Sequence, residues 1–170
     1  MTRLTAFAAD ALKDILRRDG FEMESVEYPH LFMLHRTPIV NQEHDSRNEP
    51  VQKVFINIRG KHHASWWMKG RREEFGIPAV EFAVYCDAAK SLGVSMYFFF
   101  YEDVSKMISY ISSNDVLLKA RIWEQDNVDV GGTLFVPKRY VVPLARLEDG
   151  VMRYINHFIP EKFSVQTVIS

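Results

Sequence analysis

The stretch that decides the fold is residues 54–93, which read VFINIRGKHHASWWMKGRREEFGIPAVEFAVYCDAAKSLG. In its first part, residues 54–61, aliphatic side chains occupy the first three even positions, whereas Asn57, Arg59 and Lys61 occupy odd positions. Successive side chains of a β-strand point to opposite faces of a sheet. The alternation therefore predicts a strand with one aliphatic face and one face that carries functional groups.

A helix is predicted over residues 77–93. Pro78 near the first helical position and Gly93 just past the last turn are typical of the two ends of a helix. Glu81 and Tyr85 lie one turn apart, so we expect them to face one site together. The apolar side chains beside them recur at three- and four-residue steps and predict one buried stripe, formed by Ile77, Val80, Val84, Ala88 and Leu92.

The composition predicts one packed domain over residues 1–170, and the local patterns place a strand-and-helix extension at residues 133–160. A chain of 170 residues with 47% hydrophobic and 13% aromatic residues lies well outside the disordered regime. The formal net charge of −1 gives no overall field that would attract nucleic acid or an anionic membrane. Any such binding must therefore come from a local patch.

The cysteine count and the apolar runs of the sequence predict the cellular compartment and whether the chain crosses a membrane. Its one cysteine, Cys86, cannot form an internal disulfide, and no signal segment precedes the first amphipathic helix. The longest apolar run, near residues 97–100, is far shorter than the roughly twenty residues that span a bilayer. We expect a cytoplasmic protein without a membrane segment, in which Cys86 is a structural thiol.

The remaining chain predicts a mixed sheet with flanking helices. A helix begins at Leu4 and stops at Gly20, where the helical spacing ends. The strand over residues 94–101 is expected to run parallel to the strand over residues 54–61, because one helix connects them. The other predictions are a hairpin of strands 21–28 and 31–40, a polar loop 41–50, strands 106–112 and 119–123 around a helical turn 116–118, an interrupted edge strand 133–144 and a helix 145–158.

The predicted order α-β-β-β-α-β, an α/β (α+β) arrangement, resembles the restriction-endonuclease-like core of the PD-(D/E)XK nuclease superfamily over about residues 4–123. That superfamily includes Holliday-junction resolvases and RecB-type nucleases. Residues 54–61 fall where its (D/E)xK strand is expected, and residues 81–85, EFAVY, are similar to its QxxxY motif with Glu in place of Gln. The resemblance implies a phosphodiesterase that acts on DNA or RNA with Mg²⁺ or Mn²⁺.

The resemblance also implies roles for particular residues. Lys61, Arg59, Glu81 and Tyr85 would act at the phosphate. A carboxylate and a lysine at positions i and i+2 of a strand share a face, so the first can hold the metal while the second orients the attacking water. The residues that would hold the metal are Glu81, Asn57 and an upstream acid, with Asp45 and Glu27 as the candidates.

The chain departs from the motif at its central positions. Asn57 and Arg59 have the i, i+2 geometry, but an amide offers only a neutral oxygen, and an arginine is always protonated and cannot act as a base. Arg59 and Lys61 supply the lysine without a carboxylate. An alternative hypothesis is therefore an inactive nuclease-fold protein that serves as a nucleic-acid-binding or protein-interaction module.

The loop over residues 59–72 predicts where nucleic acid would bind. It contains five Lys or Arg residues and no acid. Cations neutralise phosphates and indole rings stack on exposed bases. The expected binding residues are Lys61, His62, Trp66, Trp67, Lys69, Arg71 and Arg72. The alternative is a solvated loop whose tryptophans anchor it to the core, and the sequence leaves open both a protein partner and a homo-oligomer.

Overall fold

The computed structural model describes residues 2–28, 30–36, 52–67, 72–123 and 132–160. These residues form the helices α1 (Arg3–Arg18), α2 (Ala79–Ser91) and α3 (Ser113–Lys119). The strands are β1 (Phe21–Ser25), β2 (Leu31–Arg36), β3 (Gln52–Lys61), β4 (Ser65–Trp67), β5 (Arg72–Pro78), β6 (Ser95–Glu102), β7 (Met107–Ser112), β8 (Arg121–Trp123), β9 (Thr133–Pro137), β10 (Val142–Glu148) and β11 (Val151–Tyr154). None of the described helices combines the length and the apolar composition that crossing a bilayer requires.

The main sheet has seven strands in the order β1-β2-β3-β6-β7-β10-β11. The strands β3 and β6 are parallel, in a register that runs from Val54 opposite Ser95 to Lys61 opposite Glu102. The other neighbours in this sheet pair antiparallel, including the predicted hairpin of β1 and β2. The α+β fold with a mixed sheet and the parallel crossover through α2 are therefore confirmed.

Apolar side chains cover both faces of the main sheet. On one face, α1 packs against the aliphatic side of β3, with Leu12, Ile15 and Leu16 fully buried. On the other face, Phe98 of β6 stacks on Phe82 of α2 with ring centroids 5.3 Å apart. The alternation of β3 is confirmed, since its even-numbered aliphatic residues lie on the α1 face.

A second sheet, in the order β4-β5-β9-β8, lies over the α2 face of the main sheet. Its Phe75 stacks on Phe100 of β6 with ring centroids 4.6 Å apart. Its Glu74 is fully buried, and both carboxylate oxygens accept from Arg121 Nε at 3.0 Å. The predicted loop over residues 59–72 is wrong at residues 65–67, which form β4, and at Arg72, where β5 begins. Arg121 neutralises Glu74 and so allows β5 to be buried.

The C-terminal predictions also require correction. Residues 145–158 are not a helix, because β10 and β11 form an antiparallel hairpin around Asp149 and Gly150, which have positive φ angles of 50° and 77°. An Asp-Gly pair is a strong hairpin signal, and here it outweighs the helical spacing. The edge position predicted for residues 133–144 is wrong too, since β9 lies between β5 and β8 and β10 lies between β7 and β11.

The buried face of α2 differs from the predicted one. Phe82 and Tyr85 are buried together with Ala89, whereas Val80 and Leu92 of the predicted stripe are 53% and 60% exposed. Apolar residues of α2 lie on several sides of the helix, so their spacing alone does not identify the buried face. The aromatic side chains are buried because they remove the larger apolar area from water.

Gly60 allows α1 to approach β3 closely. The residue lies inside β3, opposite Tyr101 of β6. A Cβ atom built on Gly60 would lie 2.5 Å from the backbone nitrogen of Thr5 at the start of α1. The Gly60 N–H also donates to Thr5 Oγ1 at 3.0 Å. The helix α1 therefore occupies the space that a side chain at position 60 would need.

We expect Gly60→Ala to lower the free energy of unfolding by about 1–3 kcal/mol, because backbone atoms of α1 must move to admit the methyl group. Urea denaturation monitored by circular dichroism measures the change. Gly93→Asn is a suitable control, because no atom lies within 4 Å of a Cβ built there and asparagine tolerates the positive φ of 67°. Equal stability losses in the two variants would contradict the close approach.

Candidate functional site

Arg59 lies at the centre of a polar cluster between β3 and α2. Its Nε donates to Asn57 Oδ1 at 2.9 Å, and its guanidinium pairs with Glu81 Oε2 through a short contact. The Arg59 side chain is only 15% exposed, and that of Glu81 is 44% exposed. The structure thus brings together the polar face of β3 and the first turn of α2.

Asn57 is the buried residue of the cluster and connects it to a neighbouring turn by hydrogen bonds. The residue is fully buried, and its Nδ2 donates to the backbone oxygen of His30 at 3.0 Å. The backbone N–H of Ile58 donates to the same oxygen at 3.4 Å. An amide can donate and accept at once, which a carboxylate at this position could not do. Asn57 therefore connects Arg59 to the turn that precedes β2.

His30 was not among the residues predicted for the site. It precedes β2 in a left-handed backbone conformation with a φ of 62°, and its Nδ1 is buried without a hydrogen-bond partner in the described structure. Desolvation lowers the pKa of His30, the positive charge of Arg59 lowers it further, and Glu81 opposes them. The only signal in the sequence is the position of His30 in the hairpin connection, which pairing of β2 with β3 brings beside Asn57.

The same neighbouring charges also shift the pKa values of Lys61 and Tyr85. Desolvation and the neighbouring Arg59 lower the pKa of Lys61, although the residue is partly exposed to solvent, and Glu81 opposes this change. Burial, and then Glu81, raise the pKa of Tyr85, which keeps its hydroxyl protonated at neutral pH. Tyr85 is 5% exposed and belongs to the core beneath the site.

Among the described residues, those predicted to hold a metal do not form a cation-binding donor set. The guanidinium of Arg59 engages the side-chain oxygens of both Asn57 and Glu81. Glu27 is exposed, and Asp45 lies outside the described residues. Divalent ions such as Mg²⁺ need oxygen ligands that are free of a permanent positive charge. The described arrangement therefore does not fit a divalent ion.

A different group of metal-ligating residue types lies on the hairpin of β1 and β2. Among the described residues, Glu22, Glu24 and His35 offer ligand atoms within 4.8 Å of one another. Both glutamates are exposed, and His35 Nε2 contacts Glu22 Oε2 at 3.2 Å. These residues belong to neither the predicted metal ligands nor the Arg59 cluster.

The basic segment begins beside the Arg59 cluster. Glu102 of β6 fixes its start, because its buried carboxylate accepts from the Ala64 N–H at 2.7 Å and from Lys138 at 2.6 Å. His62 is 71% exposed and lies 3.5 Å from Asp103. Of the other predicted binding residues, Lys69 and Arg71 lie outside the described residues, and only the backbone is described for Trp66, Trp67 and Arg72.

Comparison with known proteins agrees on the fold. The sequence matches no protein-family model and no curated protein sequence. Among solved structures, this chain is similar to a nuclease from a fusselovirus, at 15% sequence identity and a TM-score of 0.51. The similarity covers 82% of this chain and 84% of the viral one. The fold is nuclease-like.

Replacing Asn57 by Asp tests the role of its amide. We expect Asn57→Asp to lower the free energy of unfolding by about 1–3 kcal/mol, because the His30 oxygen loses the shorter of its two hydrogen bonds and faces a carboxylate. Urea denaturation at neutral pH measures this loss. Asn156→Asp is the matched control, since Asn156 Nδ2 donates to the Pro143 oxygen at 2.8 Å in an exposed position that water can replace. Similar losses in both variants would contradict the assigned role.

Cys86 provides a check on the burial of α2. Burial raises the pKa of the Cys86 thiol to about 11. A raised pKa leaves little thiolate below that pH, so at pH 8 iodoacetamide should alkylate the folded protein about 100-fold more slowly than an exposed thiol. Mass spectrometry follows the reaction, with urea-unfolded protein as the reference. Equally fast alkylation of both forms would show that Cys86 is accessible and reactive.

Proposed function

We propose that this protein binds nucleic acid on a PD-(D/E)XK-like scaffold, and that the cations of Arg59 and Lys61 contact the phosphates without a metal ion between them. The observation that carries the proposal is the position of the Arg59 guanidinium, which engages the oxygens of both Asn57 and Glu81. The nuclease-like fold supports nucleic acid as the ligand class.

Arg59 is well placed to recognise phosphate. A guanidinium presents several N–H donors in a planar fork that matches phosphate oxygens, and its charge is permanent. The hydrogen bond from Arg59 Nε to Asn57 Oδ1 restrains the orientation of this fork. With 15% of the side chain exposed, water screens the cation less than it would screen a surface arginine. Lys61 adds a second positive charge on the same face of β3.

Glu81 competes with phosphate in this arrangement. Its carboxylate neutralises Arg59, yet 44% of the Glu81 side chain is exposed, so water can solvate it after displacement. An incoming phosphate offers Arg59 the same kind of charged oxygen as the carboxylate. Glu81 thus orients Arg59 in the free protein and leaves it when nucleic acid binds.

The basic segment over residues 59–72 extends the proposed surface. Lys61 and His62 continue directly from the Arg59 cluster, and the backbone of β4 follows them at residues 65–67. We include Trp66, Trp67, Lys69, Arg71 and Arg72 in the proposed nucleic-acid surface. Either DNA or RNA fits a site that recognises phosphates rather than bases or sugars.

The second candidate function is a nuclease, the class to which the viral structural neighbour belongs, and we propose Mg²⁺ or Mn²⁺ as its metal in this chain. It requires the Glu81 carboxylate to leave Arg59 and join a further acid, for which Asp45 and Glu27 are the candidates. The two functions make opposite predictions for Glu81. If the protein is a metal-dependent nuclease, loss of the Glu81 carboxylate should abolish cleavage. If the protein binds phosphate without a metal, the same loss should strengthen binding.

We expect Arg59→Gln to weaken nucleic-acid binding about 10–100-fold, because it removes charged hydrogen bonds to phosphate. We expect Glu81→Gln to strengthen binding, because the competing carboxylate is gone. Fluorescence anisotropy with labelled single-stranded and duplex DNA and RNA, repeated over a range of salt concentrations, measures both changes. The salt dependence for Arg59→Gln should decrease by about one phosphate contact.

The controls use a second arginine–glutamate pair on β10 and β11. Arg153 lies 3.8 Å from Glu148 and is 62% exposed, so Arg153→Gln and Glu148→Gln make the same charge changes away from the site. The measurements are repeated with EDTA and with Mg²⁺ or Mn²⁺, and substrate integrity is followed on gels. Metal-dependent cleavage that Glu81→Gln abolishes would contradict the metal-independent proposal and support the nuclease.

A further inference from the structure

His30 has two features that its backbone role does not explain. Its φ of 62° lies in the left-handed region, which residues other than glycine adopt uncommonly, although Asn, Asp and His adopt it more often than the rest. Its Nδ1 is buried without a partner among the described residues. A buried polar atom without a hydrogen bond is unfavourable, and such groups occur at functional sites.

The turn before β2 does not itself require a histidine. The role of this residue in the turn is to present its backbone oxygen to Asn57 Nδ2 and to the Ile58 N–H. Glycine or asparagine would supply the same oxygen with less backbone strain. The imidazole ring is therefore not explained by the fold of the hairpin.

The backbone of His30 lies beside the Arg59 cluster. Its oxygen accepts from Asn57 Nδ2, and the Asn57 oxygen accepts from Arg59 Nε, so Asn57 connects the turn of His30 to the guanidinium. Desolvation is the main reason why the pKa of His30 is lowered, and positive charges that include Arg59 lower it further, whereas Glu81 opposes them. A protonated imidazole would bury a charged Nδ1 donor without an acceptor among the described residues, so the uncharged ring is favoured.

An uncharged imidazole carries one proton, and its position follows from the buried nitrogen. A proton on Nδ1 would be a buried donor without an acceptor, so the favoured tautomer carries it on Nε2. We propose that His30 is a further phosphate-contacting residue, and that its Nε2–H donates to a non-bridging oxygen of the phosphate that Arg59 binds. This inference rests on the proposed nucleic-acid function and adds a neutral donor to the two cations.

The test separates binding from folding in two variants, His30→Gly and His30→Asn. Both residues tolerate the left-handed backbone, so the free energy of unfolding should stay equal or rise. Affinity for a labelled oligonucleotide should fall about fivefold, the typical value of one neutral hydrogen bond. The salt dependence should stay unchanged, because no charge is removed. A residue that only maintained the fold would lose affinity together with stability.

Asp149→Gly is the matched control. Asp149 is a second non-glycine residue with positive φ, at 50°, and it lies in the turn between β10 and β11. Its replacement should leave affinity undiminished and stability nearly unchanged, because both Asp and Gly tolerate a positive φ. In ¹⁵N-labelled protein, the His30 ring nitrogens should report the Nε2–H tautomer, and the Nε2 signal should shift when the oligonucleotide is added.

Two outcomes would overturn the assignment of His30: affinity that is unchanged in both His30 variants, or affinity that falls only in proportion to stability. The Arg59→Gln variant is measured in the same titrations. If wild-type protein binds no oligonucleotide, or if Arg59→Gln binds as tightly as wild type, the proposed function fails, and the inference about His30 fails with it. If Arg59→Gln weakens binding and the His30 variants do not, the inference about His30 fails alone.

Discussion

The guanidinium of Arg59 is the interaction on which the candidate site depends. It joins β3 to α2 by engaging Asn57 on its own strand and Glu81 on the helix that follows. A partly buried charge is stable only when it is paired and hydrogen-bonded, and Arg59 satisfies both conditions. The same contacts occupy the side-chain oxygens of Asn57 and Glu81, and for this reason the proposed function has Arg59, rather than a divalent ion, at the phosphate.

The rest of the fold holds this arginine in place. Parallel pairing of β3 with β6 places β3 inside the seven-stranded sheet, and α1 packs on one face of it. Gly60 lets the start of α1 lie directly against β3, one residue beyond Arg59. On the other face, α2 and the second sheet bury the aromatic side chains of β6. The cluster is thus built on regular, packed elements, which position side chains more precisely than loops.

The predictions that succeeded rested on local patterns, and those that failed depended on distant partners. The alternation in β3 and the β1–β2 hairpin are period-two signals that neighbouring residues carry. The second sheet was missed because Glu74 looks like a surface residue until Arg121, 47 positions away, neutralises it. The buried face of α2 was wrong because that helix is apolar all round, so only the opposing aromatics of β6 could select a side. The C-terminal hairpin was missed for a different reason. The Asp149-Gly150 pair is a local hairpin signal, but the helical spacing of the apolar residues around it favoured a helix.

The residues of the candidate site show the same difference between local patterns and distant contacts. The sequence by itself determined that Asn57, Arg59 and Lys61 share one face of a strand, and that Glu81 lies on the helix after it, because both facts follow from the repeat of a single element. Only the tertiary structure decided that the carboxylate of Glu81 meets Arg59, and that His30 joins them through Asn57. Those contacts join residues 22 and 27 positions apart, and their geometry depends on how β2, β3 and α2 pack rather than on any local pattern.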